Sequence, residues 1–348
     1  MKPKMLLVGG FSWSATSPLV YTLQRNAKYA HFGYTKQFKY LGPDRYPSYQ
    51  GNPKSSRILT NIYDQVRNNT WENYMSYEPS THRMNLTVDL QPLHDFPISH
   101  FDNLMTGERT ERKQLDFFHA LHDHVVTKGY KSAGDCYLGY KSHRRDLEEF
   151  FALLKSEFDV RFLLIARDPV RRAYSQYLYR QEKKKAGEAD GLLTPDGTQT
   201  NSKGLGKIIN NQFQSFGFSG PIEINFTNYI KKIKRIYEVF GKDNVHVAVM
   251  EELWEDDGTA KKVLSQFLDH PIDNLWKNLY SPDKGHFVEF DRDVPCQAYG
   301  QNMELTKETY IKLKEQYQKI YDDWKDYYGS LPMNWGEPID YKFDYWHI

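Results

Sequence analysis

The residues best suited to bind an anion lie close to the amino terminus. Residues 9–18 combine small side chains with four hydroxyls, and they follow a short apolar run at 5–8 that predicts a buried strand. Backbone amides at the start of the next helix would favour phosphate or sulfate there. The Gly-Lys-Ser/Thr pattern of ATPases is absent from the sequence, which disfavours magnesium-dependent phosphoryl transfer by a nucleotide kinase. A simple polar turn between strand and helix is the alternative interpretation.

A second candidate site begins where another predicted strand ends. The run 161–166 is apolar after its first residue and predicts a central parallel strand, and Arg167 follows directly. Asp168 and Pro169 then predict a helix start, because Asp caps helices and Pro suits the first helical position. Ser175 lies two turns into that helix, where its hydroxyl could face the same pocket as Arg167. A guanidinium and a hydroxyl together bind phosphate; the alternative is that Arg167 pairs with a surface carboxylate.

The elements that must position these residues alternate along the chain. Apolar runs predict strands, and helical spacing of apolar residues predicts helices. The predicted strands are 5–8, 161–166 and 245–250, and the predicted helices are 113–126, 146–158, 170–184, 229–240 and 306–328. This alternation predicts an α/β fold with a central, mainly parallel sheet flanked by helices. We interpret the aromatic stripe of 306–328 as packing, and the four cations of 229–240 as a solvent-exposed face: Lys231, Lys232, Lys234 and Arg235.

Length and charge restrict the class of protein. The chain has 348 residues, and its 46 Lys and Arg nearly balance 45 Asp and Glu. A net charge of +1 argues against a nucleic-acid binder and a polybasic membrane protein, but is compatible with a local basic pocket. No apolar run approaches the roughly 18 residues of a membrane span. We expect one domain over 1–348, with irregular segments at 41–112 and 185–206 on the acceptor side of the site.

Cysteine content and the amino terminus bear on the compartment. Two cysteines, Cys136 and Cys296, are too few for a disulfide framework, which favours reduced thiols. The apolar run at 5–8 stops at Gly9, short of the roughly 7–15 residues of a signal peptide. The sequence therefore predicts a soluble, cytoplasmic protein.

The segment from Arg167 to Ser175 resembles the motif with which sulfotransferases hold the 3′-phosphate of 3′-phosphoadenosine 5′-phosphosulfate (PAPS). The similarity extends over most of the chain, and the region from 284 onward resembles the heparan sulfate sulfotransferases. Residues 10–19 resemble the family's 5′-phosphosulfate loop, 36–40 its Lys-Glu-x-x-Phe strand, 134–140 its acceptor border, 250–253 its Tyr-Glu-Asp-Leu segment, and 284–287 the end of the catalytic domain. The resemblance implies a P-loop-like nucleotide-binding fold.

The resemblance also implies a reaction and a set of ligands. The sulfuryl group would pass from PAPS to a hydroxyl or amine by in-line displacement without a metal, leaving 3′-phosphoadenosine 5′-phosphate (PAP). The acceptor is open, and a carbohydrate is one candidate. The implied nucleotide-binding residues are Ser12, Trp13, Ser14, Ala15, Thr16, Ser17, Arg167, Ser175, Lys284, Gly285 and Phe287.

Three positions depart from the family at sites that are normally charged. Trp13 stands where the family has a Lys that contacts the sulfate, Gln37 stands where heparan-type members have the general base Glu, and 299–301 replaces a Lys-Gly-Arg loop. Lys36 is our candidate for the missing cation. The base stays open between His31, His143 and an acceptor that is already deprotonated. The departures also favour a second hypothesis, a non-catalytic protein that binds PAP or PAPS.

Overall fold

A computed structural model describes the parts of the chain that form the sheet and most of its helices. The described residues are 2–11, 14, 19, 23, 28–31, 76–78, 83–85, 95–97, 99–100, 103, 110–137, 145–173, 208–209, 222–223, 229–255, 258–271 and 307–337.

The centre of the molecule is a sheet of five parallel strands. These are β1 (Lys4–Gly10), β2 (Tyr29–His31), β5 (Lys131–Tyr137), β6 (Asp159–Ala166) and β9 (Val245–Val249), in the spatial order β2-β5-β1-β6-β9. All four neighbouring pairs are parallel. The prediction of an α/β fold with a central parallel sheet is confirmed, and the apolar strand expected at 161–166 is the fourth in this order.

Helices pack around the sheet, and four of the six named here lie close to predicted positions. They are α1 (Glu111–Thr127), α2 (Arg145–Glu157), α3 (Tyr229–Phe240), α4 (Met250–Glu255), α5 (Thr259–Leu268) and α6 (Lys307–Tyr328). A further helix begins after Asp168, where residues 169–173 are helical. Helix α2 contacts β6, α3 contacts both β6 and β9, and α6 packs on α3. No helix of the described residues is long and apolar enough to cross a membrane.

Two pairs of short strands lie outside the central sheet. Strands β3 (Ser76–Glu78) and β4 (Arg83–Asn85) pair antiparallel within the segment that we expected to be irregular. Strands β7 (Ile208–Ile209) and β8 (Ile222–Glu223) form another antiparallel pair. The single-domain organisation stays a prediction.

The apolar core follows from the strand sequences. Strand β6 is buried without a break from Phe162 to its end, as expected of a central strand covered on both faces. The ring of Phe162 lies 5.1 Å from that of Phe240 on α3, and Phe151 on α2 lies 5.2 Å from Phe240. These aromatic contacts hold α2 and α3 against β6 and thereby fix the position of this strand relative to the two helices.

The charged residues of α3 correct one prediction. Lys231, Lys234 and Arg235 are exposed as expected, but Lys232 is only 5% exposed. The position falls on the inward face of the helix, one turn after the buried Tyr229, so helical geometry places it inside. A run of like charges in a sequence does not distinguish this buried lysine from its exposed neighbours.

Candidate functional site

The candidate site lies where the parallel strands end together. Gly10 at the end of β1 is in register with Tyr137 on one side and Ile165 on the other, and the end of β6 pairs with that of β9. The backbone N–H of Phe11 donates to the carbonyl of Ile165 at 3.4 Å, so the chain after β1 starts beside the end of β6. Open parallel sheets bind ligands at this edge, beyond the carboxyl ends of their strands.

The buried polar and charged residues of the described chain concentrate at this edge. We call them the carboxyl-edge cluster: Ser14, Arg167, Asp168, Arg171, Arg172, Lys232 and Glu251. Each is 5% exposed or less. Four cations stand beside two carboxylates, although the whole chain carries a net charge of only +1. Charged groups are rarely buried unless something compensates them, so a local excess of buried cations is typical of a site for an anionic ligand.

One peptide group in this cluster is held at both of its polar atoms. The carbonyl of Arg167 accepts a hydrogen bond from the hydroxyl of Tyr229 at 2.9 Å, and the next N–H, that of Asp168, donates to Glu251 Oε1 at 3.1 Å. These are the two ends of a single peptide plane, and the two side chains come from different helices, α3 and α4. Rotation of this plane would break a buried hydrogen bond. The backbone from which the Arg167 side chain extends is therefore held in one orientation.

Asp168 connects the strand end to distant parts of the chain. Its Oδ1 accepts from the backbone N–H of Arg171 at 2.9 Å, which confirms the predicted helix cap. Its Oδ2 accepts from the hydroxyls of Tyr310 at 2.8 Å and Tyr321 at 2.9 Å, and from the N–H of Gly336 at 3.2 Å. A carboxylate that accepts four hydrogen bonds is stable in the interior, and here it ties α6 and the following turn to β6.

Glu251 makes the corresponding connection from α4. Its Oε2 accepts from the indole N–H of Trp335 at 2.9 Å, and Arg171 Nη1 lies 3.9 Å from its Oε1. Burial, followed by the negative charge of Asp168, raises the pKa of Glu251 above its ordinary value. Since both oxygens of Glu251 are engaged in holding backbone and side chains, its role in this arrangement is to position the cations.

Two stacked rings connect the cluster to the loop after β1. The ring of Phe11 stacks on that of Tyr229 at 4.1 Å. The Arg172 guanidinium lies 5.0 Å from the centre of the Tyr229 ring, and Lys232 Nζ lies 5.7 Å from the centre of the Phe11 ring. Ser14 joins this group through its N–H, which donates to the carbonyl of Phe11 at 3.0 Å. The side chain of Ser14 is completely buried, and its Oγ has no hydrogen-bond partner among the described residues.

The structure describes three of the residues that the sequence singled out. Arg167 lies at the strand end as predicted, and Ser14 lies next to the end of β1. His31 ends β2, and β5 separates that strand from β1. The side chain of His31 is outside the described part, as are the other candidates: Ser12, Trp13, Ala15, Thr16, Ser17, Lys36, His143, Ser175, Lys284, Gly285 and Phe287.

Sequence reasoning missed several members of the site. The helical pattern predicts packing for Tyr310 and does not single out Tyr321, yet the hydroxyls of both donate to Asp168. Burial, followed by the charge of Asp168, raises the pKa of each hydroxyl. Lys232 was placed on an exposed face. A buried strand end followed by Asp and Pro was the usable signal for Asp168, but nothing local in the sequence indicates its partners. Among the described residues, no group of three or more His, Cys, Asp or Glu is arranged to hold a metal ion.

Comparisons with known proteins identify a family. A family model described as a sulfotransferase domain matches residues 141–327, which is more than half of the chain. This span contains the end of β6, α3 and α4, and hence most of the carboxyl-edge cluster. A comparison with curated proteins found no match.

Solved structures show more distant similarity. A sulfotransferase from Alicyclobacillus acidocaldarius is 14% identical, with 97% of this chain and 100% of that chain covered and a TM-score of 0.43. The sulfotransferase domain from the curacin biosynthetic pathway is 10% identical, with 81% and 79% covered and a TM-score of 0.42. The sulfotransferase STF9 from Mycobacterium avium is 12% identical, with 95% and 78% covered and a TM-score of 0.37.

Proposed function

The chain belongs to the sulfotransferase domain family, and on that premise we propose that it transfers a sulfuryl group from PAPS to a hydroxyl or amine. The acceptor is open, with a carbohydrate as one candidate. The observation that carries the proposal is the carboxyl-edge cluster, in which four buried cations stand beside two carboxylates. PAPS carries a 3′-phosphate and a 5′-phosphosulfate, so its several negative charges complement such a cluster.

The proposed donor contacts divide between the two strand ends. Arg167, together with Ser175, holds the 3′-phosphate, and the fixed peptide after Arg167 supports this role. The loop of residues 12–17 holds the 5′-phosphosulfate through its amides and hydroxyls. The buried Oγ of Ser14 fits this assignment, because a hydroxyl in that position can donate to an anion oxygen. By resemblance to the family, the remaining nucleotide contacts come from Lys284, Gly285 and Phe287.

The proposed reaction is a single displacement at sulfur. The acceptor oxygen or nitrogen forms a bond to sulfur while the bond from sulfur to the bridging oxygen breaks, and that oxygen leaves with PAP. The acceptor proton goes to a base, which stays open between His31 and His143, unless the acceptor is already deprotonated. Lys36 is our candidate for a cation near the sulfate. Charge builds on the leaving bisphosphate, and fixed cations lower the barrier by stabilising it.

A second candidate function is binding of PAP or PAPS at the same donor site without sulfuryl transfer. Trp13 and Gln37 stand where related enzymes carry a cation and a base, and this observation favours a protein that binds PAP or PAPS without turning it over. The two functions share the nucleotide site and differ in the acceptor chemistry.

The cytoplasmic location inferred from the sequence stays a prediction.

Titration calorimetry of the wild-type protein with PAP, ADP and ATP tests the nucleotide site. We expect PAP to bind at least tenfold more tightly than ADP or ATP, because only PAP carries the 3′-phosphate that Arg167 would contact. Equal affinities for the three nucleotides would contradict a PAPS site. Inorganic sulfate, titrated separately, serves as the control for a general anion effect.

Transfer of radiolabelled sulfate from PAPS then separates the two functions. The acceptors are a panel of glycans, small phenols and cell extracts, with Lys36→Ala assayed beside the wild type. Labelled product with the wild type supports the enzyme, and its loss in Lys36→Ala supports Lys36 as the cation. Tight PAP binding without product from any acceptor would favour the binding protein.

A further inference from the structure

The turn after α6 carries two residues in the left-handed region of backbone conformation. We call residues 332–336 the α6 turn. Asn334 has a φ of 62° and Gly336 has a φ of 77°, and they lie on either side of Trp335. The N–H of Trp335 donates to the carbonyl of Pro332 at 3.1 Å. A non-glycine residue at positive φ is uncommon, and such a conformation persists where the surrounding contacts determine it.

Hydrogen bonds from the α6 turn reach both carboxylates of the carboxyl-edge cluster. The indole N–H of Trp335 donates to Glu251 Oε2 at 2.9 Å. The N–H of Gly336 donates to Asp168 Oδ2 at 3.2 Å, and its carbonyl accepts from Lys314 Nζ at 2.7 Å. The conformation of the turn is therefore coupled to the positions of the two carboxylates.

Glu251 acts on Arg167 through the backbone and through its charge. Its Oε1 accepts from the N–H of Asp168, in the peptide group that follows Arg167. Burial, followed by the charge of Asp168, raises the pKa of Glu251. The charge of Arg167 and the hydrogen bond from Trp335 lower this pKa, so both favour the ionised form. The indole and the guanidinium thus bear on the same carboxylate.

We propose that Trp335 is a positioning residue for the 3′-phosphate of the donor, because it holds Glu251 where this carboxylate orients Arg167. This inference rests on the proposed function and extends its nucleotide site to the α6 turn. The indole acts through Glu251 and does not contact the nucleotide. Without the indole N–H, one oxygen of Glu251 loses its hydrogen bond and the carboxylate can rotate away from the peptide that follows Arg167.

Trp324 shows what a tryptophan that only packs looks like in the same region. It is 4% exposed and Trp335 is 3% exposed, and their rings lie 4.5 Å apart. Each ring also contacts that of Tyr229, at 6.1 Å for Trp324 and 5.9 Å for Trp335. The indole of Trp324 makes no hydrogen bond to another described residue, so the two tryptophans share their surroundings and differ in the bond to Glu251.

Trp335→Phe is the test variant and Trp324→Phe is its matched control. Each keeps an aromatic ring, and only the first removes a hydrogen bond to Glu251. In calorimetry we expect Trp335→Phe to bind PAP about 3- to 10-fold more weakly, the range for one hydrogen bond, with ADP changed by less than about twofold. Trp324→Phe should leave both affinities unchanged. Thermal denaturation should show a similar loss of stability in the two variants, because both leave a smaller ring in the core.

A double-mutant cycle tests whether Trp335 acts through Glu251. Glu251→Leu removes both carboxylate oxygens and keeps an apolar side chain in their place. In that background we expect Trp335→Phe to weaken PAP binding by less than about twofold further, because the connection is already broken. An undiminished effect of Trp335→Phe in both backgrounds would show that Trp335 does not act through Glu251.

NMR of the indole N–H groups gives a readout that needs no variant of Glu251. The Trp335 signal is assigned by its absence in Trp335→Phe, and the Trp324 signal likewise in Trp324→Phe. Because coupling between two sites is reciprocal, binding at Arg167 must affect the bond between Trp335 and Glu251. PAP must therefore shift the Trp335 signal more than the Trp324 signal, and ADP must shift neither. Equal shifts of both signals with PAP would contradict the proposal.

The outcomes separate this inference from the function on which it rests. If the wild type prefers PAP to ADP but Trp335→Phe binds PAP as tightly as the wild type, Trp335 does not position Arg167 and the proposed function stands. Equal losses of PAP affinity in Trp335→Phe and Trp324→Phe would reduce the role of Trp335 to packing. If the wild type shows no preference for PAP, the proposed function itself fails.

Discussion

Strand β6 carries an arginine near each end, and the two are held in opposite ways. Arg161, near the amino end, is about one-third exposed; it pairs with Asp269 at 2.8 Å and donates to the carbonyl of Phe267. Arg167, just past the carboxyl end, is 3% exposed and lies in a cluster with three further buried cations. The first end carries an ion pair near the surface. The second concentrates positive charge in the interior, an arrangement typical of a site for an anionic ligand.

The comparison predicts that changes at the two ends differ in kind. Near the amino end, substitutions should alter stability alone. At the carboxyl end, they should alter both stability and nucleotide affinity, because the same side chains hold the strand end and orient the cations.

The largest effect is expected from Asp168→Ala. This substitution removes a buried carboxylate that accepts four hydrogen bonds, and it leaves the hydroxyls of Tyr310 and Tyr321 without their acceptor. We expect the free energy of unfolding to fall by about 3–5 kcal/mol, the range for breaking a buried charged network. Urea denaturation measures it.

Asp116→Ala is the control for this variant. Asp116 is 58% exposed and pairs only with Arg112 on its own helix among the contacts described, so its loss should cost less than about 1 kcal/mol. Similar losses in the two variants would contradict the structural role of Asp168.

His246 offers a prediction for the region near Arg161. It lies on β9 beside the Phe267 ring at 5.3 Å, and burial lowers its pKa to about 4. Because its pKa in the unfolded chain is about 6.5, the unfolded state binds more protons between these values, so stability from His246 is full above pH 6.5 and is lost as the pH falls towards 4. The loss, complete only below pH 4, amounts to about 3 kcal/mol.

His246→Leu isolates this contribution. We expect the difference in unfolding free energy between variant and wild type, followed by urea denaturation from pH 7 to pH 4.5, to shift in favour of the variant as the pH falls. A constant difference over that range would show that His246 does not titrate as described. PAP affinity at pH 7 should be the same in both proteins.

The smallest effect is expected from Tyr229→Phe. The variant loses the hydrogen bond to the carbonyl of Arg167 but keeps the ring that stacks on Phe11. Stability should fall by about 1 kcal/mol, and PAP should bind severalfold more weakly because Arg167 is less firmly oriented. Tyr237→Phe, on the same helix, removes a hydroxyl whose partner is Tyr328 at 3.4 Å, and should leave PAP affinity unchanged. Equal effects on PAP in the two variants would contradict a positioning role for Tyr229.

The fold was predictable from the sequence where local patterns determine structure. Helical spacing predicted α1, α3 and α6 to within two residues at each end, and the Asp-Pro pair predicted the helix after β6. These signals are local, because periodicity and capping depend on residues within a few positions of one another.

The partners of the site residues were not predictable in the same way. Tyr310 and Gly336 reach Asp168 across 142 and 168 residues of sequence, and only the three-dimensional packing of α6 brings them together. A helical pattern indicates that Tyr310 faces inward, but not that its hydroxyl meets a carboxylate. The burial of Lys232 is a different case, because helical spacing from Tyr229 already places it on the inward face, although its charge suggests exposure.

The central claim is that the carboxyl end of β6 binds the 3′-phosphate through Arg167, and the two arginines of this strand test it directly. Calorimetry with PAP and ADP would compare Arg167→Ala with Arg161→Ala, which removes the same side chain from the other end. We expect Arg167→Ala to weaken PAP binding by about 1.5–3 kcal/mol, or roughly 10- to 150-fold, with ADP much less affected. Arg161→Ala should leave both affinities within twofold of wild type. Equal losses of PAP and ADP in Arg167→Ala, or an equal loss of PAP in both variants, would contradict the claim.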